Sequence, residues 1–114
     1  MDLLQILKWL AVGISLLIGL YAMIKPGRVA WSSGLEVPGS RGTTEIRAVM
    51  GGTLIGLSVA TVILNNPLAF KMLGISWAAT AVIRALSIAL DKSADRSNAI
   101  SLIVEIGLAI LLVL

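Results

Sequence analysis

The stretch that decides the fold is Ile46–Leu64, with the sequence IRAVMGGTLIGLSVATVIL. Its 19 residues are apolar or small, apart from Arg47 near its start and a few hydroxyl residues, and it ends at the turn signal Asn65–Pro67. A helix needs about 20 predominantly apolar residues to cross the hydrocarbon core of a bilayer. No alternation of apolar and polar residues, as in a half-buried strand, competes with this pattern. The stretch therefore predicts a membrane-spanning helix.

Three further apolar runs flank this stretch. The first stops at Lys25–Gly27, where a lysine precedes proline and glycine, and the third stops at Asp91. The predicted spans are about 3–24, 45–64, 71–90 and 99–114, the last being the shortest at 16 residues, roughly 24 Å of helix. We expect the glycine-containing stretch Lys25–Thr43 to form turns. The predicted fold class is all-α, an integral membrane four-helix bundle with residues 1–114 in a single transmembrane domain.

The composition supports a membrane protein and argues against several functions. Hydrophobic residues make up 58% of the chain and charged residues 13%, whereas about a quarter of a soluble domain is charged. The nine basic residues are dispersed between apolar runs, so we expect no nucleic acid partner. The chain has neither Cys nor His, which removes thiol and imidazole groups from catalysis and metal binding. We predict no enzyme activity, no metal and no cofactor; a pigment, quinone or lipid between the spans would leave no sequence signature.

The distribution of basic residues predicts the orientation. Four spans place both termini and the second loop on one side, which holds only Lys8 and Lys71. The first and third loops with their flanks hold six basic residues: Lys25, Arg28, Arg41, Arg47, Lys92 and Arg96. Cytoplasmic loops of membrane proteins carry an excess of Lys and Arg. We therefore expect the first and third loops to be cytoplasmic and both termini to lie outside.

Two ionisable residues lie well inside predicted spans. Arg84 lies seven residues before Asp91, so about 10 Å below the end of the third span, and Glu105 lies about 9 Å below the same surface in the fourth span. Each charge costs a few kcal/mol at mid-membrane unless it has a partner or a wet cavity. Opposite charges at matched depth on consecutive antiparallel helices predict an ion pair.

Further polar residues extend this pair toward the cytoplasmic surface. On the fourth span, Asn98, Ser101 and Glu105 share a helical face at i, i+3, i+7 spacing, and on the third, Arg84 and Asp91 share one. The predicted intramembrane polar cluster consists of Glu45, Arg47, Arg84, Asp91, Ser101 and Glu105. One interpretation is that these residues neutralise one another and fix the helix register. The other is a proton or anion site, since buried carboxylate–arginine sets occur in transport pathways.

The second span also carries small residues at fourfold spacing. A ridge of this kind lets a second helix approach closely. The predicted helix-packing residues are Ala48, Gly51, Gly52, Gly56 and Ala60. The partner helix belongs either to the same bundle or to another protein, as a dimer or a docked membrane subunit.

The sequence also resembles a known family. The run Thr44–Gly52, TEIRAVMGG, an arginine in the third span, an aspartate closing it and a glutamate in the fourth are similar to a family of small four-span bacterial membrane proteins of unknown function, over most of the chain. The resemblance implies a four-helix fold in a bacterial plasma (inner) membrane but no activity. It singles out Glu45, Arg47, Gly51, Gly52, Arg84, Asp91 and Glu105. Small multidrug-resistance exporters have the same span count, but they carry their key carboxylate in the first span, whose interior has no acid here.

Two hypotheses of function follow. The first is an accessory or structural subunit that packs against other membrane proteins, supported by the small extramembrane mass and the small-residue ridge. The alternative is a small oligomeric transporter or permease that uses the Arg84–Glu105 charge pair. The expected partners are membrane lipids together with other membrane subunits or further copies of the chain.

Overall fold

The computed structural model describes residues 1–114 and contains helices connected by short segments, with no strands. The five helices are α1 (Leu3–Ile24), α2 (Pro26–Ser32), α3 (Ser40–Leu64), α4 (Pro67–Asp91) and α5 (Arg96–Val113). Four of them, α1, α3, α4 and α5, are long and apolar enough to cross a membrane, with mean hydropathies of 1.7–2.0. The predicted all-α class and the four membrane helices are confirmed, and the chain is a multi-pass membrane protein.

Side-chain caps set where α4 and α5 begin. The Asn66 side chain accepts hydrogen bonds from the backbone N–H groups of Leu68 and Ala69 (2.8 and 3.1 Å), and that of Asp95 accepts one from Asn98 (2.8 Å). Such caps satisfy N–H groups that the first helical turn leaves without partners. These helices therefore start at Pro67 and Arg96, a few residues before the predicted spans, which begin at about residues 71 and 99.

The first loop contains more regular structure than expected. Instead of turns alone, it forms α2, which begins at Pro26, where the fixed φ of proline suits a first helical residue. Ala30 of α2 is buried against Ala22 and Ile46, so the short helix covers one end of α1 and α3. Helix α3 starts at Ser40, five residues before the predicted span.

The middle of α3 is a π-helix over Ile46–Gly52. A π-helix places one extra residue in the turn and is frequent at functional sites. The segment continues into regular α-helix at Thr53, and its residues Val49 and Met50 line a cleft between the helices.

The four long helices pack as two pairs, α1 with α3 and α4 with α5. Glycines allow the closest approaches. A Cβ added to Gly51 would lie 3.1 Å from the carbonyl oxygen of Gly19, and one added to Gly74 would lie 2.8 Å from the Cβ of Leu112. The pairs join around a buried apolar cluster that contains Val12, Leu73 and further residues of α1, α4 and α5.

The small-residue ridge does not form the contact within the chain. Only Gly51 is buried, whereas Ala48, Gly52 and Gly56 are exposed and Ala60 is half-buried. A Cβ added to Gly56 would meet nothing within 4 Å. The helix contact uses a neighbouring stripe that continues from Gly51 to residues 58 and 61, both buried. Ala48, Gly52 and Gly56 are therefore exposed within this chain, and their role in helix packing stays a prediction.

Candidate functional site

A cleft of about 500 Å³ lies between the two helix pairs. All four long helices and α2 contribute to its wall, and most of the residues that line it are apolar or carry a hydroxyl group. Its volume lies within the range of about 300–1,000 Å³ that small-molecule sites occupy. The lining residues are Ile18, Val29, Ser33, Val49, Met50, Thr53, Leu54, Leu57, Ser76, Trp77, Thr80, Arg84, Ile100, Ser101, Val104 and Glu105.

The charged part of the wall is an ion pair between α4 and α5. The Arg84 Nε donates to the Glu105 Oε1 at 2.7 Å, and the Nη2 donates to the Oε2 at 2.8 Å. The Glu105 side chain is 6% exposed and the Arg84 side chain 31%. Two parallel hydrogen bonds between a guanidinium and a carboxylate are strong and directional. Each charge thus meets its counter-charge on the neighbouring helix.

Asn98 completes the hydrogen bonding of this arginine. Its side-chain Oδ1 accepts from the Arg84 Nη1 at 2.9 Å, and its Nδ2 donates to the carbonyl oxygen of Ser93 at 2.9 Å. The chain of bonds therefore runs from Glu105 through Arg84 and Asn98 to the short connection between α4 and α5. Asn98 lies outside the predicted site set, although its i, i+7 spacing from Glu105 was a signal for it.

The other predicted cluster residues lie at different places. Ser101 lines the cleft beside Glu105, and Asp91 lines an outer groove that also reaches Arg84. Both Glu45 and Arg47 are exposed on α3 and do not line the cleft. The Oε1 of Glu45 lies 3.9 Å from an Nη2 of Arg41, in a pair whose side chains are mostly exposed. The structure thus brings together Arg84, Glu105 and Ser101 and leaves Glu45 and Arg47 apart from them.

A buried hydrogen bond between α1 and α4 was not predicted. The indole Nε1 of Trp77 donates to the Ser15 Oγ at 2.8 Å, and that hydroxyl donates to the carbonyl oxygen of Ala11 at 2.8 Å. The bond joins α1 to α4. Buried indoles usually find such a partner, so a tryptophan in one span and a serine in another were the available signal.

A model of one family matches residues 3–114 of the sequence. The chain belongs to the DUF4345 family. The family is described as a domain of unknown function. Because the match covers nearly the whole chain and four helices are membrane-spanning candidates, the resemblance to a family of small four-span membrane proteins of unknown function is confirmed. No curated protein and no solved structure matches the chain.

At one end of the DUF4345 chain, a groove beside Trp31 joins the cleft. Its lining includes Arg96 and Ser97 of α5, and it shares Ile100 and Ser101 with the cleft. The hydroxyl of Ser97 donates to the carbonyl oxygen of Ser32 at 2.9 Å, which fixes α2 beside the start of α5. The polar groove therefore lies directly beside the cleft.

The polar groups of the cleft are few. No three His, Cys, Asp or Glu side chains are grouped closely enough to hold a metal ion. The DUF4345 chain presents an apolar cleft with one internally paired charge couple and several hydroxyl groups. Small-molecule sites in proteins have this composition, with a predominantly apolar lining and a few polar groups.

Proposed function

We propose that this protein is a small transporter-type membrane protein that binds a small amphipathic molecule between its helix pairs. The observation that carries the proposal is the cleft of about 500 Å³, which all four long helices line and whose wall contains the Arg84–Glu105 pair. Small-molecule sites occur preferentially in such spaces between the helices of bundles. Ionisable residues inside a membrane also mark substrate and ion pathways.

The proposed function contains no catalytic step. The sequence offers neither a thiol nor an imidazole group to act as nucleophile or base. The charged pair instead supplies a polar wall.

The test fills the cleft with a larger side chain. Val104 lines the cleft, whereas its neighbour Ile103 is 69% exposed and does not. We expect protein extracted in a mild detergent to carry a reproducible non-protein molecule, identified by mass spectrometry, which Val104→Phe removes and Ile103→Phe retains. Retention by both variants, or no such molecule in the parent protein, would overturn the proposal.

A second candidate function is that of an accessory subunit. It is supported by the outward-facing small residues Ala48, Gly52 and Gly56, which have no partner helix in the chain. Such surfaces let another membrane helix, from a second copy or a different subunit, approach closely. Sizing of the extracted particle tests it: a fixed-stoichiometry complex that Gly52→Val disrupts supports this role, and a monomer unaffected by the variant contradicts it.

The proposed location is a bacterial plasma membrane, with the first and third connections in the cytoplasm and both termini outside. The basis is the excess of Lys and Arg on those connections. Because the chain lacks cysteine, single-cysteine variants report topology cleanly. A membrane-impermeant thiol reagent applied to intact cells should label Asn66→Cys and spare Gly39→Cys until the cells are permeabilised. The reverse pattern would invert the orientation.

A further inference from the structure

We propose that the ligand of the cleft is a membrane lipid with an anionic headgroup. The headgroup lies in the groove beside Trp31 and one acyl chain enters the cleft. This inference rests on the proposed function, because it names the ligand class of the same site.

The first step is the proximity of the two spaces. Ile100 and Ser101 form part of the wall of the cleft and also of the groove. The groove measures about 470 Å³ and lies at the end of the molecule where α2 meets the start of α5. An elongated molecule that lies along Ile100 and Ser101 has one end among apolar side chains and the other among polar ones, which is the form of a lipid.

The second step is the charge at each end. Within the cleft, the Arg84 guanidinium gives its Nε, Nη1 and Nη2 atoms to Glu105 and Asn98. The cleft therefore holds a neutral pair and offers no free cation to an anionic group. Among the residues that line the groove, Arg96 alone carries a charge. The anionic end of an amphipathic ligand is consequently stabilised in the groove rather than in the cleft.

The third step is the setting of the groove at a membrane surface. Trp31 is 84% exposed, and exposed tryptophans of membrane proteins are enriched at the level of the lipid headgroups. Arg96 is the first residue of α5. The Asp95 carboxylate already occupies the start of this helix by accepting a hydrogen bond from the N–H of Asn98, so the cationic contact for a phosphate comes from the Arg96 side chain.

The apolar end is matched to an acyl chain. Leu54, Leu57 and Val104 give the cleft an aliphatic wall, and Trp77 adds an indole ring. An acyl chain that enters the cleft from a bilayer leaves lipid rather than water, so the fit of the acyl chain to this wall stabilises the bound state. Selectivity therefore depends on the headgroup contact.

The experiment must distinguish specific binding in the groove from general attraction of anionic lipids to a positively charged protein surface. An anionic membrane surface attracts each nearby Lys or Arg, whatever its position. A surface effect predicts that Arg96→Gln and the charge-matched control Lys92→Gln weaken lipid binding equally. Lys92 lies at the same end of the molecule but lines neither the groove nor the cleft.

The probes are dioleoyl phosphatidylglycerol and dioleoyl phosphatidylcholine, which have identical acyl chains. Each is added to delipidated, detergent-solubilised protein, and bound lipid is counted by native mass spectrometry. We expect phosphatidylglycerol to bind about tenfold more tightly than phosphatidylcholine, the ratio that one contact of 1.4 kcal/mol produces. Arg96→Gln should remove this preference and Lys92→Gln should leave it unchanged.

Variants of the cleft test whether the acyl chain of the lipid lies in the cleft. Val104→Phe and, as a smaller change, Ser101→Leu should reduce binding of both lipids, while Ile103→Phe should not. If the cleft variants displace lipid but the two lipids bind equally, or Arg96→Gln has no larger effect than Lys92→Gln, the headgroup inference fails and the proposed function survives. If folded cleft variants, verified by circular dichroism, displace nothing, both fail.

Discussion

The contact between Arg84 and Glu105 should be the strongest side-chain interaction between α4 and α5. Its two charge-assisted hydrogen bonds are 2.7 and 2.8 Å long, and the carboxylate is nearly fully buried. A hydrogen bond to a charged group contributes about 1.5–3 kcal/mol, and removing one partner of a buried pair costs about 3–5 kcal/mol because the other charge stays uncompensated. We expect either Arg84→Met or Glu105→Gln to lower the free energy of unfolding by about 3–5 kcal/mol.

The double variant separates the interaction from its surroundings. Arg84→Met combined with Glu105→Gln leaves no unpaired charge, so its cost should fall short of the sum of the single costs by about 3 kcal/mol, the worth of the lost hydrogen bonds after desolvation. The assay is unfolding in mixed dodecylmaltoside–SDS micelles, followed by far-ultraviolet circular dichroism. A thermodynamic cycle on four proteins gives the coupling energy directly.

The same chain offers a matched control. Arg41 and Glu45 lie one helical turn apart with 3.9 Å between their closest charged atoms, and their side chains are 90% and 55% exposed. Exposed pairs at this spacing contribute about 0.3–0.5 kcal/mol. Their cycle should show little coupling, and an Arg84–Glu105 coupling no larger than that of this control would refute the reasoning.

Three smaller changes test the packing described above. Gly51→Val should destabilise the bundle by about 1–3 kcal/mol through overpacking against α1, whereas Gly56→Val, where the added Cβ meets nothing within 4 Å, should leave the unfolding midpoint in SDS unchanged; equal effects would contradict the assigned helix contact. Ser15→Ala leaves the Trp77 indole without its acceptor and should cost about 1–3 kcal/mol, with a changed tryptophan fluorescence maximum; an unaltered spectrum and stability would argue against the bond. Asp95→Ala removes the cap of α5 and should cost about 1 kcal/mol, measured in the same titration, with Asp95→Asn retaining stability; loss in both variants would exclude the capping explanation.

The membrane helices follow from the sequence because hydrophobic runs report directly on the environment of a span. The first residues of α4 and α5 were less predictable, since N-caps such as Asn66 and Asp95 extend the start of a helix into polar sequence. The face that α3 presents to α1 was not predictable from spacing. Ala48 and Gly52 lie in a row as regular as the one that begins at Gly51, and lipid tolerates small residues as well as a neighbouring helix does.

The site was predictable where charge depth constrains it. An arginine and a glutamate at equal depth in neighbouring spans neutralise each other when they form an ion pair, and the structure joins Arg84 to Glu105. Glu45 and Arg47 carried no such constraint, because a charge near the end of a span reaches water without a partner. The cleft itself has no sequence signature, since its wall consists of ordinary apolar residues, and the π-helix that places Val49 and Met50 in that wall has none either.

The pairing of charges across α4 and α5 also has a consequence for biogenesis. Only residues 92–95 separate these two helices. The two helices are therefore synthesised one directly after the other. A lone arginine or carboxylate at mid-span costs about 2.5–3.5 kcal/mol to insert from the translocon. Held together, Arg84 and Glu105 enter the lipid as a neutral couple, which makes the α4–α5 hairpin, rather than either helix, the unit of insertion. A nascent chain that ends before Glu105 should leave α4 poorly inserted, as measured by glycosylation mapping, and replacing Arg84 by leucine should restore its insertion.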